Sequence, residues 1–159
     1  MLGGVSLLAA CARNDDPRFL TYTGPQVTSV LVYKGQRNMH LMHFNEVLKS
    51  YRFELGFAPT GHKTVEGDGR TPEGQYWIDR RNPRSRYHLS LGISYPNAED
   101  IERAKALGQP PGGDIFIHGT PDRFSGQRDW TWGCIAVTNR EIEVIYSMVR
   151  DGTPIFIYP

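Results

Sequence analysis

Residues 56–74, GFAPTGHKTVEGDGRTPEG, carry five glycines and two prolines, a density of breakers that neither a helix nor the interior of a sheet tolerates. Whatever the chain folds into must therefore accommodate a long irregular segment between regular elements. Long loops inside compact domains are usually functional, and the flanking sequence is strongly β-forming. Val27 to Tyr33 is β-branched and aromatic, Lys34-Gly35-Gln36 is a turn, and Asn38 to Phe44, the turn Asn45-Glu46 and Val47 to Leu55 complete an antiparallel meander. Downstream, Gly74 to Asp79 and Tyr87 to Ser94 read as strands separated by RRNPRSR. That run, with Arg80, Arg81, Arg84 and Arg86, is either a solvated turn or an anion-binding segment.

Two helices are expected in the second half. Asn97 caps the first, with Glu99 and Asp100 in its opening turn and Gly108 stopping it before Pro110-Pro111. Thr138 or Asn139 caps the second, Glu141 completes a capping box with Thr138, and Ile142, Ile145, Tyr146 and Val149 form its apolar stripe. Between them DIFIHGT is a short strand from Asp114 that ends at His118-Gly119, and after Gly152 the run TPIFIYP is the last strand. The pattern is a single domain, mainly β with two short helices. At 159 residues the chain is long enough for one core and too short for two comfortable domains.

A formal net charge of +1 and the absence of any basic block interleaved with aromatics give no electrostatic basis for nucleic-acid binding. Two cysteines far apart, Cys11 and Cys134, do not make a disulfide framework, and the five histidines lack the paired short spacing of a metal site. No metal or organic cofactor is called for. There is no G-x-S-x-G elbow and no H-E-x-x-H. Attention falls on Cys134 within DWTWGCIAVTN and on His118 at the end of an apolar strand. A thiol near a helix N-terminus and beside an imidazole is expected to have a lowered pKa, the arrangement of a nucleophilic Cys–His pair. With Gly133 before it, the N–H groups of Gly133 and Cys134 could converge on an oxyanion, which points to acyl transfer. The competing reading is a buried structural thiol and a hydrogen-bonded strand-end histidine. His40, His43, His62 and His88 have no comparable context.

The N-terminal run is of a different kind. Leu2 to Ala10 is apolar and small, too short to span a membrane, and ends at Leu8-Ala9-Ala10-Cys11 before polarity rises. This resembles the lipobox of bacterial lipoproteins, without the Lys or Arg that commonly precedes one. The resemblance implies cleavage before Cys11 and a lipid anchor on it; a plain cleaved signal or a disordered tail are the alternatives. The expected organisation is a signal segment over 1–11, a spacer over 12–26 and a catalytic domain over 27–158.

IFIHGT together with DWTWGCIAVTN resembles the YkuD-type L,D-transpeptidase catalytic domain, in which a His-Gly is followed after a short interval by Ser/Thr-x-Gly-Cys; here Gly133 comes 15 positions after His118. GHKTVEGDGRTPEGQYWID, ISYPNAED and VYKGQRNMHLM are similar to further segments of that family in the same order. The likeness is greatest to its compact single-domain members of the YafK/DpaA-like branch. It implies a YkuD-like β-sandwich, with Cys134 as nucleophile, His118 as base, the Gly119 carbonyl orienting the imidazole, and an oxyanion hole from Gly133 and Cys134. The implied substrate is the peptide stem of peptidoglycan, attacked after its third residue with loss of D-alanine. Thr131 takes the Ser/Thr position of the motif and is implied to bind substrate, while Trp132 and Ala136 replace a family His and Arg. Trp132 would shape the wall of the site, and Arg70, Arg123 or Arg128 would supply the missing positive charge. Three function classes follow: an L,D-transpeptidase forming cross-links or attaching envelope protein, a hydrolase of the same fold, and a wall-binding domain with a vestigial site. The implied setting is the cell envelope, as a monomeric outer-membrane lipoprotein facing the periplasm.

Overall fold

The computed structural model describes residues 16–159; Cys11 and the signal segment lie outside the described residues. Eight strands and two helices follow in the order β1 (Ser29–Tyr33), β2 (Asn38–His43), β3 (Glu46–Arg52), β4 (Gly74–Asn82), β5 (Ser90–Ile93), α1 (Ala98–Ala106), β6 (Phe116–His118), β7 (Ile135–Ala136), α2 (Asn139–Met148) and β8 (Pro154–Tyr158). All eight strands join one sheet in the order β3-β2-β1-β8-β4-β5-β6-β7. The expected meander is β1 to β3, with β2 antiparallel to both neighbours.

The sheet curls at β4, which serves two partners in succession. Gly74 to Trp77 pair with β8, whereas Ile78 to Asn82 pair with β5 across a register shift at Asp79. An extra residue in one strand bends it and increases its twist, so the two halves of the sheet face each other across Val30, Val32, Leu41, Ile78, Leu91 and Ile117, all fully buried. The sandwich thus comes from one sheet folded over. Helix α2 packs its Ile142–Ile145–Tyr146 stripe over β5 and β6; the capping box expected at Thr138 forms, and the Asn97 cap proves to be a reciprocal box with Asp100 as well.

Several expectations are corrected. RRNPRSR is only partly a turn: β4 continues through Arg80 and Arg81. Arg81 donates to the carbonyls of Tyr146 and Val149, the latter at 2.6 Å, neutralising the C-terminal end of a helix that has no basic residue in its own last turn. Residues 16–26, expected as a spacer, lie against the domain, with the Arg18 guanidinium donating to the His88 carbonyl at 3.3 Å. The irregular segment 56–74 is not simply a surface loop. Buried Lys34 donates from Nζ to the carbonyls of Gly61 (2.6 Å) and Thr71 (3.0 Å) and to Glu73 (2.8 Å). The Asp68 carboxylate accepts from the N–H groups of Thr64, Val65 and Arg70 and from Lys63 Nζ. Burial disfavours that charge, but these donors outweigh it and hold the Asp68 carboxyl below the usual carboxylate range.

The two ends of the sheet meet. Just beyond β3, Glu54 exchanges both backbone hydrogen bonds with Ala136 of β7 (2.8 and 2.9 Å), Thr131 N–H donates to Leu55 O (3.0 Å) and Phe57 N–H to Thr131 O (3.2 Å). Gly56 lies at this crossing. A Cβ there would strike the Gly69 carbonyl and come within 2.7 Å of Gly133 N, all backbone atoms with no room to yield. Gly56→Ala is expected to cost about 3 kcal/mol or more, read as a lowered urea midpoint; an unchanged midpoint would show that the crossing is not tightly closed.

Candidate active site

His118 ends β6 and Cys134 immediately precedes β7, the strand paired parallel to it. The register Ile117↔Ile135 and His118↔Ala136 puts Cys134 level with Phe116, two positions from His118. Side chains two apart on neighbouring strands share a face, so His118 and Cys134 look into the same space while Ile117 and Ile135 go to the core. That space is a cavity of about 650 Å³ whose wall includes both residues.

The imidazole is 2% exposed. Tyr87 stacks on it with ring centroids 4.4 Å apart, and Trp130 packs at 5.6 Å, itself stacked on Phe124 at 4.1 Å. Nδ1 lies 2.7 Å from the Gly119 carbonyl oxygen. A carbonyl only accepts, so Nδ1 carries the hydrogen and Nε2 holds the free lone pair. The peptide that supplies this carbonyl is itself held, because Gly119 N–H donates to Tyr87 O at 3.0 Å. Burial pushes the His118 pKa down to about 4, against the opposing Gly119 hydrogen bond.

Cys134 is half-buried, and its Sγ–H donates to Asp114 O at 3.4 Å. Burial pushes the thiol up to about 11 in spite of the Phe116 backbone N–H and the charges of Lys63 and Arg80. This corrects the expected lowered pKa. The reason lies in the fold: strand β7 intervenes between Cys134 and the helix cap at Thr138, so the thiol is not at a helix N-terminus, and the imidazole nearby is neutral. Both shifts favour the neutral forms, thiol and imidazole.

The turn before Cys134 departs from expectation at two residues. Thr131 is buried, its Oγ1–H donates to Cys134 O (2.8 Å), and the same oxygen accepts from Gly133 N–H (3.2 Å). Its hydroxyl is committed to shaping the turn and is not free for substrate. By the same bond the Gly133 N–H is occupied, so of the two donors expected to form an oxyanion hole only Cys134 N–H is without a protein acceptor among the described residues. Gly133 is nevertheless required, since its φ is +121° and a Cβ would collide with the Arg70 carbonyl. Trp132 is 71% exposed at the cavity rim and meets Phe57 edge-on at 5.0 Å.

The three arginines expected to serve the site are elsewhere. Among the described residues, neither Arg70, Arg123 nor Arg128 lines the cavity: the Arg70 guanidinium lies by Gly61, Arg123 sits over Phe124 at 4.8 Å, and Arg128 borders spaces near Arg37. Arg84 and Arg86 line it instead. Tyr87, which clasps His118, was also not singled out by sequence. The only signal was adjacency to the arginine run, and nothing local says that residues 84–87 fold back over β6. Among the described residues no cluster of three or more His, Cys, Asp or Glu could hold a metal ion.

The fold is thus a curled β-sheet that sets a cysteine and a buried, carbonyl-oriented histidine on adjacent parallel strands. The family model for the YkuD L,D-transpeptidase catalytic domain matches residues 28–157, and the chain belongs to that family. It is 30% identical over 136 residues to the putative L,D-transpeptidase YafK of Escherichia coli K12, covering 82% of this chain and 50% of YafK. Among solved structures it resembles the helical cell shape determining protein Pgp2 of Campylobacter jejuni (26% identity, TM-score 0.64, 90% of this chain and 51% of Pgp2). It also resembles Bd1075 of Bdellovibrio bacteriovorus (26% identity, TM-score 0.62, 84% and 48%). The chain spans about half the length of these relatives.

Two outcomes are expected from this geometry. Alkylation of Cys134 by iodoacetamide should be slow at pH 7 and rise about tenfold per pH unit toward pH 10, following the thiolate fraction; a rate already level at pH 7 would mean a preformed thiolate. Thr131→Val leaves Gly133 N–H and the Cys134 carbonyl unpaired and should lower stability by about 2 kcal/mol. A urea midpoint within error of wild type would show that the hydroxyl does not hold the turn.

Proposed function

We propose that the chain is a cysteine-dependent L,D-transpeptidase acting on peptidoglycan peptide stems. The observation that carries this is the pairing of His118 and Cys134 across β6 and β7 into one cavity, with Nδ1 of His118 held by Gly119 O and Nε2 left as the base.

Since the resting pair is neutral, the thiol proton passes to Nε2 of His118 as sulfur attacks the carbonyl carbon following the stem's third residue. The S–C bond forms and the carbonyl becomes an oxyanion, for which Cys134 N–H is the available donor. Collapse breaks the C–N bond, and the imidazolium returns its proton to the departing D-alanine amine, leaving a thioester. The amine of a second stem then attacks the thioester, passing a proton through His118 to the sulfur, and a new amide forms as the thiol is released. Water in place of that amine gives hydrolysis. Trp132 forms part of the wall against which the stem lies.

The domain works as a monomer in the cell envelope, on the periplasmic side, held at the outer membrane by a lipid on Cys11. The small apolar run ending at Cys11, and the lack of an Asp after it, support that placement. By likeness to Pgp2, a cell shape determining protein, its cross-linking or trimming contributes to cell shape.

Incubating the protein with purified tetrapeptide muropeptides and following it by mass spectrometry tests the reading. The expected result is an acyl adduct on Cys134, loss of D-alanine and a cross-linked product, all absent in Cys134→Ala. Trimmed stems without cross-links would identify a hydrolase, and intact muropeptides with no adduct would overturn catalysis on this substrate.

A further inference from the structure

Arg80, Arg81, Arg84 and Arg86 divide into two pairs with different fates. Arg81 caps α2. Arg80 lies over Phe116 at 4.5 Å and pairs with Asp79 at 2.7 Å and Asp114 at 3.5 Å. By contrast, the guanidinium groups of Arg84 and Arg86 form no ion pair and donate to no acceptor among the described residues, although both line the cavity shared by His118 and Cys134. The only carboxylate in that wall is Asp114, whose side chain is 92% exposed and turned to Arg80.

The backbone that carries these two arginines is firmly placed. Arg84 N–H donates to Asn82 Oδ1 (3.0 Å), Tyr87 N–H to Ser85 Oγ (3.0 Å), and the Ser85 and Ser90 hydroxyls are hydrogen-bonded to each other. Tyr87, next in the chain after Arg86, stacks on His118 and accepts the Gly119 N–H. The arginine segment and the imidazole are thus parts of one hydrogen-bonded and stacked unit, so the backbone that bears the two guanidinium groups is held beside the cavity. Apart from Asp114 the rest of the wall is aromatic or polar, and among the described residues it contains no other Lys or Arg.

We propose that Arg84 and Arg86 form a carboxylate-recognition site that selects peptide substrates bearing a free carboxylate over their amidated forms and sets their register against Cys134. A guanidinium presents a planar fork that matches a carboxylate bidentately, which a lone ammonium does not. The site does from the β4–β5 connection what an arginine at position 136 cannot do here, since Ala136 is buried and lines a separate cavity that shares Phe124 and Trp130 as a wall with this one. Both groups are exposed, so their pull on the substrate is weakened by salt. The inference rests on the acyl-transfer reading for its consequence but concerns binding, and the two fail separately.

The test compares a synthetic tetrapeptide stem with free carboxylates against its carboxamide counterpart. Binding is measured on Cys134→Ala with and without Arg84→Gln/Arg86→Gln, and turnover on otherwise wild-type protein carrying the same double substitution. The double variant is expected to lose about 10- to 100-fold in affinity and in kcat/KM for the free acid, mainly through KM. It should bind the amide as weakly as the parent does, and Arg→Lys at both positions should restore only part of the preference. Arginine-dependent binding without turnover would uphold the carboxylate site and overturn the catalytic reading. Turnover with equal use of acid and amide, or an unchanged preference in the double variant, would overturn the site and leave catalysis standing. Failure to bind either peptide would overturn both. Because the two arginines have no partner in the fold, an unchanged urea midpoint is expected throughout.

Discussion

The two backbone hydrogen bonds between Glu54 and Ala136 hold the site together. Strand β7 is two residues long, far below the length at which a strand pair is stable alone, yet the residue proposed as nucleophile immediately precedes it. It exists because it is bonded on both sides, to β6 by its parallel ladder and to the chain beyond β3 by this bridge. The same crossing draws the irregular segment under the 131–134 turn, with Gly56 at the point of closest approach, and so brings the two ends of one curled sheet into contact. The Arg37–Asp129 ion pair, with Asp129 also accepting from Leu55 N–H, secures the start of that turn from the β1–β2 side.

Around that frame the chemistry is set by burial rather than by charge. His118 is enclosed by Tyr87 and Trp130 and oriented by one carbonyl, and burial lowers its pKa and so favours the neutral imidazole. The thiol, in equally poor surroundings for an anion, keeps its proton. In the proposed reaction the charge that develops on the substrate is met by the Cys134 N–H rather than by a resting ion pair. Among the described residues the unpaired positive groups lining the cavity are those of Arg84 and Arg86, outside the Cys–His pair.

Much of the secondary structure was legible because it follows local rules. The meander, the Asn97 cap, the Thr138 capping box and the α2 stripe are written in period and in cap residues, and they form where expected. β7 was not legible as a strand, since two residues cannot announce a strand whose partners lie 18 and 82 positions away, at His118 and Glu54. The arginine run was ambiguous because alternate residues of β4 face opposite ways, so that Arg80 meets Phe116 and Arg81 meets α2, while the two that follow the strand turn toward the cavity. Thr131 was assigned to substrate from its place in a motif, whereas its hydroxyl closes a turn.

The sequence by itself determined the single mainly-β domain, the family, and Cys134 and His118 as the residues to examine, because these depend on composition, period and motif spacing. Tertiary structure alone decided the protonation of that pair, the occupation of the Gly133 N–H and which arginines face the cavity. The reason is physical. Desolvation, hydrogen-bond competition and charge proximity act through space, between residues that the curl of the sheet brings together from distant parts of the chain.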